Sequence, residues 1–184
     1  MKPENLLVGV DGYLRLTDFG FAKVVEGRTF TLCGTPEYMA PEILLNKGHG
    51  KPVDWWTLGN ITYEMLVGID PFSAEDPMTI YQNILKGAIR FPRNFDKNAK
   101  SLIKHLLCAD LAKRFGNLKG GAEDVKMHRW FSGLSWETLI NKRVEMPYVP
   151  VVRRPDDTSN FSHYPDSDTL SPTVKASDDP FSDW

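Results

Sequence analysis

The sequence predicts a mainly α-helical fold carrying one small β-hairpin and ending in an extended tail. Three observations predict it. Two short apolar runs flank Val10-Asp11-Gly12 near the start, three segments of helical periodicity fill the middle, and prolines scatter through everything after about Met146. The chain has 184 residues, 41% of them hydrophobic and 25% charged, enough to bury a sizeable core. A formal net charge of -2 supplies no broad field for nucleic acid. Cys33 and Cys108 fit neither a zinc site nor a disulfide framework, and no apolar run is long enough to span a bilayer. Cytosol or nucleus is the expected location.

In the hairpin, Leu6-Leu7-Val8 and Tyr13–Thr17 are the strands, and Gly12 supplies the positive φ of a tight turn. A loop-like stretch runs to about Pro41, broken by Gly20, Gly27, Gly34 and Pro36. Val53–Val67 is apolar enough for a nearly buried helix, with Gly68 placed as its C-cap. Asp76-Pro77 opens a helix that Gly87 closes. Asp96 opens another, in which Ala99, Leu102, Ile103, Leu106 and Leu107 form a one-sided stripe. Shorter helices are expected at Ala122–His128 and Trp136–Asn141. In the tail, periodicity vanishes among Pro, Ser, Thr and Asp.

Asn5 and Asp18 stand at the open end of the hairpin, so its two strands bring an amide oxygen beside a carboxylate. Such a pair of hard oxygens suits Mg²⁺ that also keeps waters and phosphate oxygens. Phe19-Gly20 follows as an anchor and a hinge. KPEN (Lys2–Asn5), DFG (Asp18–Gly20) and APE (Ala40–Glu42) stand in the order of a protein kinase. GRTFTLCGTPEYMAPEILL (Gly27–Leu45), VDWWTLG (Val53–Gly59), KRFGNLKGG (Lys113–Gly121) and DTSNF (Asp157–Phe161) narrow the likeness. The chain resembles the AGC group of serine/threonine protein kinases, in its cAMP-dependent branch.

That resemblance implies a kinase large lobe over residues 1–145 and an AGC C-terminal tail over 146–184, with ATP and Mg²⁺ as cofactors. It makes Asn5 and Asp18 the metal ligands and sets Lys2 on the transferring phosphoryl group. Thr35 bridges to the catalytic loop, and Glu4, Leu7, Thr17 and Phe161 border the nucleotide. Thr31 becomes the activation-loop phosphosite, with Lys23 one cation for it. Glu4, Glu37 and Glu64 would favour protein substrates with Arg ahead of the acceptor Ser or Thr, and Leu32, Pro36 and Met39 would form an apolar shelf for the residue after it. Glu42–Arg114 is the implied large-lobe ion pair, and Asp54 the brace of the catalytic loop. Phe181 and Trp184 resemble the terminal hydrophobic motif, with Thr169 and Ser171 as tail phosphosites.

The family's general-base Asp falls just ahead of Met1, so the resemblance implies a chain that starts inside the catalytic loop. It also implies that the small lobe is absent and that the chain alone is inactive. Three readings stay open: part of a working kinase, a non-catalytic module that binds substrates or a cAMP-binding regulatory subunit, or a product without function.

Overall fold

The computed structural model describes residues 1–165, so Phe181, Trp184, Thr169 and Ser171 lie outside the described residues. By its internal contacts the chain divides between Val149 and Pro150.

In the first unit, strands β1 (Leu6–Val8) and β2 (Leu14–Leu16) pair antiparallel, with Leu6 opposite Leu16, Leu7 opposite Arg15 and Val8 opposite Leu14. Gly12 turns the chain at φ 77°, and a Cβ there would lie 2.6 Å from Cβ of Met146. Tyr13 donates its hydroxyl to the carbonyl of Val144 at 2.9 Å, and Lys142 reaches Asp11 at 2.5 Å. These contacts carry the first unit past the expected boundary at residue 145, because 144–148 are tied to the hairpin.

Six helices follow: α1 (Pro41–Leu44), α2 (Pro52–Val67), α3 (Pro77–Lys86), α4 (Lys97–Leu106), α5 (Ala122–Lys126) and α6 (Trp136–Ile140). Their boundaries have local causes. Gly68 and Gly87 take left-handed backbone just after α2 and α3, which lets an amide return to the last carbonyls. Asp76 accepts from the Thr79 amide and Asp96 from those of Asn98 and Ala99, satisfying donors that a helix start leaves open. Ser135 caps α6 the same way through the Thr138 amide.

The core forms around α2. Trp56 stacks on Phe72 with ring centroids 5.6 Å apart, and Ala40, Tyr63, Ile80, Ile84, Ile103 and Leu107 complete this cluster. A second cluster joins Leu102, Leu106 and Val125 to Trp55, Leu58, Phe115, Trp130 and Phe131. The apolar stripe of α4 therefore serves both clusters from adjacent flanks. Gly59 permits the close crossing of α2 and α4, since a Cβ there would lie 2.8 Å from Leu107 Cγ.

The expectation that α2 is nearly buried throughout holds only for its middle. Met65 and Leu66 are 64% and 46% exposed, because the last turn of the helix runs past the elements that cover its centre. Among the described residues, no helix is long and apolar enough to cross a membrane.

Candidate active site

A 3-10 turn, Pro3–Asn5, leads directly into β1. Thr17, just past β2, donates both its amide (2.9 Å) and its hydroxyl (3.2 Å) to the carbonyl of Asn5. This double clasp fixes the backbone of Asn5 against the strand that leads into Asp18. Nδ2 of Asn5 then donates to Oδ2 of Asp18 at 3.4 Å. The other carboxylate oxygen, Oδ1, accepts from the Gly20 amide at 3.1 Å. Asp18 itself has φ 59°, a left-handed conformation that Asp tolerates better than most residues. A strained, exposed carboxylate held from both sides invites a functional explanation.

The donor set fits a hard divalent cation. The Asn5 amide and the Asp18 carboxylate both carry oxygens, and the exposure of Asp18 leaves room for the waters and phosphate oxygens that Mg²⁺ keeps. Lys2 precedes the turn as its N-cap, half-buried, and Leu7 and Thr17 lie on and beside the paired strands.

A second centre forms where the 3-10 turn Pro36–Tyr38 meets α2. Tyr38 donates a short hydrogen bond to Oε2 of Glu64. One helical turn earlier, Asn60 donates Nδ2 to the carbonyl of Glu37 at 3.4 Å. Burial foremost, then the bond to Glu64 and the negative charges of Glu64, Glu4 and Asp70, push the Tyr38 phenol up from its ordinary value. The phenol thus stays a donor to Glu64. Glu4, Glu64 and Asp70 make this corner acidic, while Oε2 of Glu37 is buried without a partner among the described residues.

A model of the protein kinase domain matches residues 1–131, well over half of the sequence. The chain belongs to the protein kinase family. Similar proteins include cAMP-dependent protein kinase catalytic subunit 3 of Drosophila melanogaster, 55% identical over 168 residues. The cAMP-dependent protein kinase catalytic subunit of Dictyostelium discoideum is 55% identical over 170 residues, and PRKX of Homo sapiens, also named such a catalytic subunit, 53% over 168. These alignments cover 91%, 92% and 91% of this chain but 29%, 26% and 47% of the relatives. The chain therefore spans about a quarter to a half of the length of the curated relatives it matches.

The remaining candidates of this kinase chain fall into place unevenly. Glu42 and Arg114 form a buried ion pair, Nη1 to Oε1 at 2.6 Å and Nη2 to Oε2 at 2.9 Å. Asp54 is exposed in the first turn of α2, a favourable place for a carboxylate, and its side chain has no hydrogen bond among the described residues. Thr31 is exposed, but Lys23 reaches Thr29 Oγ1 at 3.2 Å rather than Thr31. Thr35 is the half-buried N-cap of the Pro36–Tyr38 turn.

The expected apolar shelf needs a correction. Leu32 is 68% exposed and Pro36 half-buried, but Met39 is only 7% exposed, because the chain leaving the turn runs inward toward buried Ala40 and α1. Met39 therefore offers a ligand little surface. Phe161, in the second unit, is exposed and follows a turn closed by its own amide on the Thr158 carbonyl.

Sequence reasoning missed Tyr38, Asn60 and Asp70. A signal existed for Asn60: like Glu64, it is a polar residue inside an otherwise apolar helix.

Proposed function

We propose that this chain forms part of an ATP-dependent protein serine/threonine kinase of the cAMP-dependent type, transferring phosphate to Ser or Thr preceded by Arg. The observation that carries the reading is the meeting of Asn5 with Asp18 at the mouth of the hairpin. Bound Mg²⁺ would neutralise phosphate charge, and Asn5 and Asp18 are the residues that would hold it. The clasp of Thr17 fixes the backbone from which the Asn5 amide projects, and the Gly20 amide holds one oxygen of Asp18. Lys2, next to this corner in sequence, would meet a phosphate oxygen as a point charge. Phosphoryl transfer depends chiefly on positioning and charge, which is what these groups supply.

The acidic corner supports the substrate preference. Guanidinium groups pair best with fixed carboxylates, and Glu64 is fixed by Tyr38. The same corner supports a second reading, in which the chain sequesters Arg-rich segments or a cAMP-binding regulatory subunit without catalysis. Both readings share the groove and differ at the metal corner. Titration of the chain with ATP in Mg²⁺, and separately with an Arg-rich peptide, distinguishes them. Kinase function predicts that both bind. Peptide binding without Mg²⁺-dependent ATP binding selects the second reading, and failure of both removes the two together.

A further inference from the structure

Asn60 is fully buried in the middle of α2, and every local rule argues against it. Asn is a poor residue for a helix interior, its neighbours Trp56, Ile61 and Tyr63 are buried hydrophobics, and its Oδ1 has no partner among the described residues. The amide cannot be turned to improve matters, since that would set its oxygen against the Glu37 carbonyl in place of the nitrogen that now donates there. A shape-matched leucine would remove the orphaned Oδ1 and suit the apolar neighbours, but it would leave the Glu37 carbonyl without this donor.

The position makes sense once its partner is considered. Asn60 and Glu64 are one helical turn apart on a shared face of α2. They hold Glu37 and Tyr38, which are neighbours in the Pro36–Tyr38 turn. One rung fixes the backbone of the turn and the other fixes its phenol. Without the first, the turn can pivot about the Tyr38–Glu64 bond, and the Glu37 carboxylate moves with it. Places where local consistency is broken are where function is expected to be the reason.

We infer that Asn60 is a positioning residue for peptide recognition, setting the Pro36–Tyr38 turn against α2 so that the carboxylates of Glu37 and Glu64 stand at a fixed separation for arginines of a substrate. The inference rests on the substrate groove proposed above. It assigns Asn60 no contact with the peptide.

The test compares the whole chain with its Asn60→Leu and Asn60→Ser variants. The probe is a synthetic peptide with two arginines ahead of an alanine at the acceptor position, beside the same peptide with lysines. In Asn60→Leu the removal of the orphaned Oδ1 offsets the loss of the donor to Glu37 and the melting temperature stays close to that of the unaltered chain, while the arginine peptide binds about five- to tenfold more weakly, as expected for loss of one positioning hydrogen bond. The preference for arginine over lysine shrinks with it. Asn60→Ser, too short to reach Glu37, loses the same preference. Thr62→Val, a buried change on α2 away from the turn, leaves peptide affinity as it was. Undiminished affinity and selectivity in Asn60→Leu overturn the inference, and so does a loss of affinity that only tracks a loss of stability in both Asn60 variants. If the unaltered chain binds neither peptide, the groove reading itself is wrong and this inference falls with it.

Discussion

Arg114 and Glu42, 72 positions apart, form a two-pronged ion pair with no exposure of the guanidinium and 7% of the Glu42 side chain. Nε of Arg114 also donates to the Cys108 carbonyl at 2.8 Å and Nη1 to the Pro52 carbonyl at 3.1 Å. The guanidinium lies 5.1 Å from the ring centre of Trp56. One side chain therefore joins the start of α1, the start of α2 and the segment after α4. Arg114→Lys cannot reproduce the fork, and Glu42→Gln leaves a buried cation without its counter-charge. Each should cost about 3–5 kcal/mol. Denaturant melts would show it, and a loss below about 1 kcal/mol would refute the estimate.

The crossing of α2 and α4 depends on Gly59, whose place a Cβ could take only by displacing Leu106 and Leu107. Helix propensity alone would make Gly59→Ala stabilising by about 0.5–1 kcal/mol. The clash should reverse that sign and destabilise by about 1–3 kcal/mol. A thermal melt decides between them, because the two arguments predict opposite directions.

Much of this architecture could be read from letters, for reasons that are local. Gly12, Gly68 and Gly87 mark backbone that only glycine adopts cheaply, and Asp76 and Asp96 announce helix starts by their own side-chain chemistry. The meeting of Asn5 with Asp18 was legible because hairpin geometry converts sequence order into proximity. What could not be read depends on contacts distant in the chain. Nothing in the letters says that Met39 turns inward or that Met65 and Leu66 stay outside. The short elements Pro36–Tyr38 and Pro41–Leu44 carry too few residues for a period to emerge. Tyr38 and Asn60 acquire meaning only from where α2 packs.

His128 supplies a pH dependence. Its Nδ1 accepts from the Trp130 amide and its Nε2 lies 3.1 Å from Ser101 Oγ. Burial, then the charges of His105 and Arg129, lower its pKa from the ordinary 6.5. The unfolded chain therefore takes up a proton at this residue at a higher pH than the folded chain. Stability from this group is complete above about pH 6.5 and declines as pH falls through the lowered folded value. Melting temperatures from pH 8 to 5 should show that decline, and it should be smaller in His128→Asn. Equal slopes for the two proteins would contradict this.

Removing the charge of Glu64 tests the acidic corner. Glu64→Gln should keep a bond to Tyr38 while losing attraction for a guanidinium, weakening an arginine-containing peptide by roughly ten- to a hundredfold. Tyr38→Phe should weaken it less, since the carboxylate remains but loses its anchor. Calorimetric titration would read both, and a larger effect from Tyr38→Phe would reverse the assignment of roles.

The central claim is that Asn5 and Asp18 hold the divalent cation that brings ATP to this chain. Calorimetric titration of ATP into the chain and its Asp18→Ala and Asn5→Ala variants, each with Mg²⁺ and with EDTA, tests it most directly. The account predicts that Mg²⁺ strengthens ATP binding to the unaltered chain, and that Asp18→Ala abolishes that gain, costing at least about tenfold in affinity. Asn5→Ala should cost less. Binding that is indifferent to Mg²⁺, or a Mg²⁺ effect that survives in both variants, would contradict it.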